Sequence, residues 1–273
     1  AGMGQWKSQK YDMGSALRRA YGEISFSDGI LLLGDNLYCG PEDSDSLAAV
    51  AQREIENPFK DIIDLGVPFY AALGNHDNDH GLESFELQYP LFNMKGRRYY
   101  SQIFRGNLVE VFFLDSNTLN DEYGGEQDPK QIRWLEGALE GSRARWKVVI
   151  THHPLFSTAM KYPTDPDMIQ LLEPLFRKYG VSLVLHGHNH IYERLRPVYG
   201  IEYVTAGSGG TVRTANLDPD APQRLAGNDQ DLVFLRLEFD QNTCHLTAYD
   251  VLLNIVDEYS FTQDAQDEHK KLR

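Results

Sequence analysis

Five runs of consecutive apolar residues mark the first two thirds of the chain. They are "GILLLG" (29–34), "VPFYAALG" (67–74), "LVEVFFLD" (108–115), "WKVVIT" (146–151) and "SLVLHG" (182–187). Because their apolar residues are largely consecutive, these runs are typical of strands that are covered on both faces of a sheet. The pattern therefore predicts five buried strands.

Apolar residues recur at helical spacing before and between these runs. The spacing predicts helices over residues 6–21, 47–65, 129–140 and 167–179. After residue 200 the pattern changes to "EYVTAG", "DLVFLRLEF" and "TCHLTAYDV", which alternate more openly, as antiparallel strands do. Strands that alternate with helices predict an α/β fold, and the later strands predict a second, partly antiparallel sheet.

The domain organisation follows from length and loop composition. With 273 residues, of which 41% are hydrophobic, the chain can bury a substantial core, and we predict a single domain over residues 1–273. A stretch rich in Asp, Pro, Gly and Asn predicts a loop over 211–231, and a polar tail begins at about residue 263.

Charge and cysteine content exclude several classes of protein. The net charge is −14, and no basic run offers a surface for nucleic acid or an anionic membrane. No apolar stretch reaches the roughly 20 residues that span a bilayer, and residues 1–22 lack the apolar segment of a signal peptide. Cys39 and Cys244 are the two cysteines, so the chain is not a disulfide scaffold, although one bridge between them stays open.

Side chains that bind metals follow four of the apolar runs directly. The segments are "GDNLY" with Asp35 and Tyr38, "GNHD" with Asn75, His76 and Asp77, "THHP" with His152 and His153, and "GHNH" with His188 and His190. Taken singly, each segment is typical of an ordinary turn or loop. In open α/β sheets, however, ligands bind beyond the carboxyl ends of the strands, so the four segments can converge on one site.

The residue types in these segments indicate two unlike metals. In an extended segment, residues two apart point to the same side, so His188 and His190 can reach neighbouring points. Imidazole suits borderline metals, whereas carboxylate and phenolate oxygens suit harder ones. His186 lies inside the predicted strand, and we predict it as a core residue or as a hydrogen-bonding supporter of a ligand.

"GDNLY", "GNHD", "THHP" and "GHNHIYER", in this order, resemble the motifs of the calcineurin-like metallophosphoesterases. The tyrosine three residues after Asp35 makes the chain most similar to the purple acid phosphatases. The similarity extends through "FFLDSNTL", "QIRWLEGAL" and "PLFRKYGVSLVLHGHNH" to "GIEYVTAGSGG". It implies a four-layer α/β/β/α sandwich of two mixed β-sheets flanked by helices.

The resemblance also implies a set of metal ligands. Asp35 would bridge two metal ions, with Tyr38 and His190 on Fe(III), and Asn75, His152 and His188 on a divalent ion, which is Zn, Mn or Fe. The Tyr38 assignment agrees with its chemistry, because a phenol with a pKa of about 10 ionises at neutral pH only beside a strong Lewis acid. His153 would form part of the wall of the site, and His80 would lie near the substrate.

The function that the resemblance implies is hydrolysis of a small phosphate ester at a dinuclear metal site. A metal-bridging hydroxide would attack phosphorus, and His76 would protonate the leaving group, with Asp77 beside it to keep it charged. A phosphomonoesterase is the first expectation. The alternatives are a phosphodiesterase on the same metal core, or a non-catalytic domain with a degenerate metal site. The resemblance favours a secreted or periplasmic location.

One part of the family pattern is missing. The family opens with a strand that ends in a Gly-Asp-x-Gly-type motif, whose Asp completes the ferric site, whereas this sequence starts with "AGMGQW". Asp12 and Asp28 lack the context of that motif. We therefore expect a truncated chain that lacks one metal ligand and one sheet strand. A degenerate site is the alternative.

Overall fold

Helices and strands alternate through the first two thirds of the chain, as the apolar pattern predicts. The computed structural model describes residues 3–23, 27–39, 45–119 and 128–263. The predicted polar tail lies outside these residues. Within them, the α-helices are α1 (Met3–Glu23), α2 (Leu47–Ala51), α3 (Lys60–Ile63), α4 (Leu82–Gln88), α5 (Pro129–Gly141) and α6 (Pro166–Tyr179). Among these helices, none combines the length and the apolar character that crossing a bilayer requires.

The strands form three hydrogen-bonded groups. They are β1 (Ile30–Leu32), β2 (Phe69–Ala71), β3 (Tyr100–Phe104), β4 (Val109–Phe113), β5 (Trp146–Thr151), β6 (Leu183–His186), β7 (Tyr192–Leu195), β8 (Glu202–Ala206), β9 (Arg224–Asn228), β10 (Val233–Phe239), β11 (Thr243–Asp250) and β12 (Ile255–Thr262). A mixed seven-stranded sheet has the order β3-β4-β5-β6-β8-β7-β9. Strands β1 and β2 pair in parallel, and β10, β11 and β12 form an antiparallel meander.

The layers stack as helix, sheet, sheet, helix, which confirms the predicted sandwich. Helices α5 and α6 cover one face of the seven-stranded sheet, where Leu135 and Phe176 share a buried cluster with Val149 of β5. The neighbouring residue Val148 belongs to a second cluster on the opposite face, together with Leu246 of β11. That cluster also holds residues of β2, α1 and α3, so the smaller sheets lie between the large sheet and these helices.

The parallel core of the large sheet explains the consecutive apolar residues. Strands β4, β5, β6 and β8 are mutually parallel, with Val111 opposite Val148 and Val148 opposite Leu183. All five residues of β4 are buried, because both faces of the strand are covered. The carboxyl ends of β4, β5, β6 and β8 therefore meet at one edge of the sheet.

Three local predictions differ from the structure. The predicted helix 47–65 is divided into α2, a π-helical turn (Gln52–Glu56) and α3, and Pro58, which has no N–H to donate, lies between the last two. The predicted loop 211–231 contains β9, which pairs with β7. The sequence pattern did not predict strand β3. This strand lies at the edge of the sheet and is partly exposed, so its apolar pattern is weak.

A cavity of about 730 Å³ lies between the two smaller sheets. Residues of β1 line one side of it and residues of β10 line the other, and the lining is mainly aliphatic and aromatic. Within the described residues, β1 pairs only with β2, and β10 pairs only with β11. The cavity also reaches Asp35 and His190, at the edge where the predicted metal-binding segments end.

We predict that Glu202 makes the fold less stable as the pH rises. Burial raises the pKa of this β8 carboxyl from its ordinary value of 4.5 to about 7, and its Oε2 has no hydrogen-bond partner among the described residues. Between these two pH values the unfolded chain has released a proton that the folded chain retains. The free energy of unfolding therefore decreases with pH, by up to about 3 kcal/mol over the window.

The measurement is urea unfolding of the parent and of Glu202→Gln between pH 4.5 and 8. The difference between the two free energies should change through this window and become constant above pH 7. Glu238→Gln, which removes an exposed carboxyl of β10, is the comparison variant for the same change of side chain at the surface. A flat difference for Glu202→Gln would show that the carboxyl has an ordinary pKa.

Candidate metal centre

Four predicted ligands meet within hydrogen-bond distance of one another. Asp35 Oδ1 lies 3.4 Å from His152 Nε2, and Asn75 Oδ1 lies 3.2 Å from the same nitrogen. His188 Nδ1 lies 3.0 Å from Asn75 Oδ1 and 3.3 Å from His152 Nε2. Asp35 and Asn75 follow β1 and β2, whereas His152 and His188 follow β5 and β6. The donor atoms therefore come from two sheets and two separate layers.

This donor group fits a divalent transition metal. Two hard oxygen donors, a carboxylate and an amide, combine with two borderline imidazole nitrogens, and Zn, Mn and Fe accept such a mixed set. Donors about 2.1 Å from one ion, in tetrahedral or octahedral arrangement, lie about 3.0–3.4 Å from each other. The observed separations of 3.0 to 3.4 Å match that range.

The second carboxylate oxygen of Asp35 faces Tyr38. The hydroxyl of Tyr38 donates to Asp35 Oδ2 over 3.2 Å. His190 lines the same cavity as Asp35 and Tyr38. The two oxygens of Asp35 therefore face different predicted ligands, with Oδ1 towards His152 and Oδ2 towards Tyr38.

Electrostatics suit these side chains to metal binding. Burial lowers the pKa of His188 to about 3 and that of His190 to about 4, so both imidazoles are neutral at physiological pH. Burial favours the protonated form of Asp35, but the nearby His152 outweighs it and lowers the pKa of Asp35 well below its usual value. Burial and the charge of Asp35 raise the pKa of Tyr38, so its phenol keeps the proton unless a strong Lewis acid binds.

The tautomer of His152 is set by the end of β1. Its Nδ1 lies 2.8 Å from the carbonyl oxygen of Leu33 and donates to it, so Nε2 faces Asp35 and Asn75. Burial opposes the charged form of His152, but Asp35 outweighs burial and raises its pKa, and a metal ion that binds Nε2 would displace the proton there. This close approach explains one glycine of the motif. Gly34 has a φ of +91°, and a Cβ there would lie 2.5 Å from His152 Nδ1. Asp35 itself has a φ of 56°, which is rare for a residue with a side chain.

Asp77 holds the loops of the site together instead of holding His76. Its fully buried carboxylate accepts hydrogen bonds of 2.7 to 3.2 Å from the backbone N–H groups of Asp35, Asn36, Leu37 and Gly74. The carboxylate beside His76 belongs to Asp79, whose Oδ2 lies 3.4 Å from His76 Nδ1. The predicted pairing of Asp77 with His76 is thus corrected, because backbone donors occupy the Asp77 carboxylate.

The other histidines take distinct places. His153 is buried, lies 2.8 Å from Ser116 Oγ through Nδ1, and shares with His152 and His188 a group of donor atoms that all lie within 4.8 Å of one another. His186 is buried and contacts Thr151 Oγ1 at 2.8 Å, as a core residue would. His80 is exposed.

Asp12 and Asp28 do not supply the carboxylate that the family pattern adds. Asp12 is exposed on α1, and Asp28 forms an ion pair of 2.7 Å with Arg105. Residues without a motif lie closer to the site. The ring of Tyr162 is 4.2 Å from that of His188, and Arg213 donates its backbone N–H to the carbonyl of His190. The sequence around Tyr162 and Arg213 contains no motif that would identify them, since only tertiary packing brings them to the site.

Comparisons with known proteins identify the family of the chain. A family model described as calcineurin-like phosphoesterase matches residues 8–192. The human tartrate-resistant acid phosphatase type 5 is 31% identical over 207 residues, which cover 68% of this chain and 62% of the human protein. The chain thus spans less than two thirds of the length of that relative.

Two solved structures share the fold. GAP50 of Plasmodium, described as the anchor in the inner membrane complex, superposes with a TM-score of 0.77 at 14% identity, over 96% of this chain and 89% of that chain. The purple acid phosphatase PPD1 from yellow lupin seeds superposes with a TM-score of 0.69 at 18% identity, over 94% of this chain and 50% of that chain. At these identities the likeness concerns the fold.

We predict that Asp77→Ala destabilises the protein by about 3 kcal/mol or more, because four backbone N–H groups lose their acceptor. Urea unfolding monitored by tryptophan fluorescence measures the change. Asp79→Ala removes an exposed carboxylate two residues away and should change the free energy by about 0.5 kcal/mol or less. Equal effects of the two substitutions would contradict the assigned role of Asp77.

Proposed function

The chain belongs to the calcineurin-like phosphoesterase family, and on this premise we propose that it is a dinuclear-metal phosphatase that hydrolyses phosphoric monoesters, of the purple acid phosphatase type. The observation that carries the proposal is the donor group of Asp35, Asn75, His152 and His188, whose atoms lie 3.0 to 3.4 Å apart.

The proposed metal pair is Fe(III) with Zn, Mn or Fe. Asp35 would hold both ions, Tyr38 and His190 would hold Fe(III), and Asn75, His152 and His188 would hold the divalent ion. Because burial and Asp35 raise the pKa of Tyr38, binding of its phenolate would require an ion of high charge, such as Fe(III). When bound, the ions supply positive charge for the phosphate and make a water molecule acidic enough to attack phosphorus.

The residues of the chain position the substrate and move a proton. His76 is exposed, and its ring centroid lies 4.9 Å from that of Tyr38, at the mouth of the site. Its backbone N–H donates to Asp35 Oδ1 over 2.9 Å, which holds it next to the ligands. The Oδ2 atom of Asp79 lies 3.4 Å from Nδ1 of His76. His76 is therefore placed to protonate the leaving group as a general acid.

Two other functions are compatible with the family. A phosphodiesterase would use the same donor group, and the loops around the site would decide between the two substrate classes. A non-catalytic domain is the second candidate. It is favoured by one observation, that Asp12 and Asp28 do not supply a further carboxylate to the donor group.

We expect His76→Ala to lower kcat for p-nitrophenyl phosphate by about 10² to 10⁴-fold while the metal content stays unchanged, because His76 donates a proton and binds no metal. Steady-state kinetics and metal analysis of the same preparation provide the measurement. His245→Ala, which removes an exposed histidine of β11, is the control and should keep activity within about threefold. A parallel loss of metal and kcat in His76→Ala would refute the general-acid role.

Tyr38→Phe should abolish the visible charge-transfer band of the iron-loaded protein, because the substitution removes the phenolate oxygen. The visible spectrum and the bound iron, measured together, test this expectation. Tyr99→Phe is the control, since Tyr99 packs on Trp134 away from the site and its loss should leave the band intact. A band that persists in Tyr38→Phe would exclude Tyr38 as a ligand.

A further inference from the structure

A small cationic cluster, formed by Lys161, Tyr162 and Arg213, stands beside the metal-binding histidines. The Tyr162 ring packs on His188 with 4.2 Å between ring centroids. Lys161 Nζ lies 4.8 Å from the centroid of the Tyr162 ring, and the guanidinium carbon of Arg213 lies 5.3 Å from it. Two cations therefore lie over the ring of Tyr162, next to a predicted metal ligand.

The backbone fixes this Lys-Tyr-Arg cluster to the site. Lys161 N donates to Asn216 Oδ1 over 3.0 Å, and Asn189 Nδ2 donates to the Tyr162 carbonyl over 2.9 Å. Arg213 N donates to the His190 carbonyl over 2.9 Å. Since Asn189 lies between the two metal-binding histidines, the cluster cannot move independently of them.

The charges of Lys161 and Arg213 are not neutralised. Within the described part of the chain, neither side chain forms an ion pair, although acidic residues outnumber basic ones by 40 to 26. Asp165 is near Lys161, but its Oδ1 accepts from the backbone N–H groups of Asp167 and Met168 at the start of α6. In an acidic protein, two cations without a carboxylate partner beside a phosphate site indicate an anionic ligand.

The space for that ligand lies on one side of the cluster. A pocket of about 280 Å³ is lined by residues that include Lys161, Tyr162 and His188. Asp165 and Asp167, at the start of α6, also line it, and Arg213 lies outside its lining. Its volume is several times the roughly 30 Å³ share of a water molecule in the liquid. A substrate phosphate at the predicted divalent site would therefore have room for a second anionic group between His188 and Lys161.

We propose that the Lys-Tyr-Arg cluster is a second anion site, which binds a phosphate group in the leaving group of the substrate. This inference rests on the proposed phosphatase function. The preferred substrates are then diphosphates, and esters with a neutral leaving group bind less tightly. Lys161 supplies a mobile cation for the second phosphate, and Arg213 adds positive charge on the same ring.

The test is isothermal titration of the metal-loaded protein with methylenediphosphonate and with methylphosphonate, neither of which is hydrolysed. Lys161→Met should weaken binding of the diphosphonate about tenfold, while binding of methylphosphonate changes by less than about twofold. Arg213→Gln should weaken diphosphonate binding in the same direction. Lys178→Met is the matched control, because Lys178 also lies over the adjacent tyrosine, 4.6 Å from the Tyr179 ring, but on the exposed end of α6. It should change neither affinity.

Each possible result supports or contradicts the second anion site. A Lys161→Met variant that keeps the parent affinity for diphosphonate, or loses both affinities equally, overturns the second anion site and leaves the phosphatase proposal standing. If methylphosphonate fails to bind the parent while diphosphonate binds in a Lys161-dependent way, the anion site stands and the phosphate site at the metals fails. If neither compound binds, both are wrong.

Discussion

The carboxylate of Asp77 is the contact on which the site depends. Four backbone N–H groups, from the loops after β1 and β2, donate to one buried side chain. These loops carry Asp35 and Asn75, so the positions of two predicted ligands follow from a residue that binds no metal. The rigid backbone lets Asp35 keep its left-handed conformation, which would cost free energy in a free loop.

Much of the fold and of the predicted ligand set was visible in the sequence, for a physical reason. Parallel strands that are buried on both faces are recognisable by their consecutive apolar residues, and their carboxyl ends must meet at one edge. The segments around Asp35, Asn75, His152 and His188 follow such strands, so their convergence could be predicted. The edge strand β3 and the strand β9 lack that signature, because part of each strand is exposed.

Contacts that depend on tertiary packing could not be predicted. Asp77 and Asp79 are two residues apart in one segment, and only the fold decides which of them is buried under the loops and which lies beside His76. The same holds for Tyr162 and Arg213, which are 51 positions apart in the chain and meet through a ring contact. The residue types at these positions do not indicate which side chains are neighbours in the folded protein.

The division of the donor atoms between two layers has a thermodynamic consequence. Asp35 and Asn75 follow the two-stranded sheet, and His152 and His188 follow the seven-stranded sheet, so an ion bound by all four tethers one layer to the other. Any separation of the layers releases the ion. By mass action, the stability of the sandwich then increases with the logarithm of the free metal concentration, and metal affinity and resistance to unfolding become linked properties of the molecule.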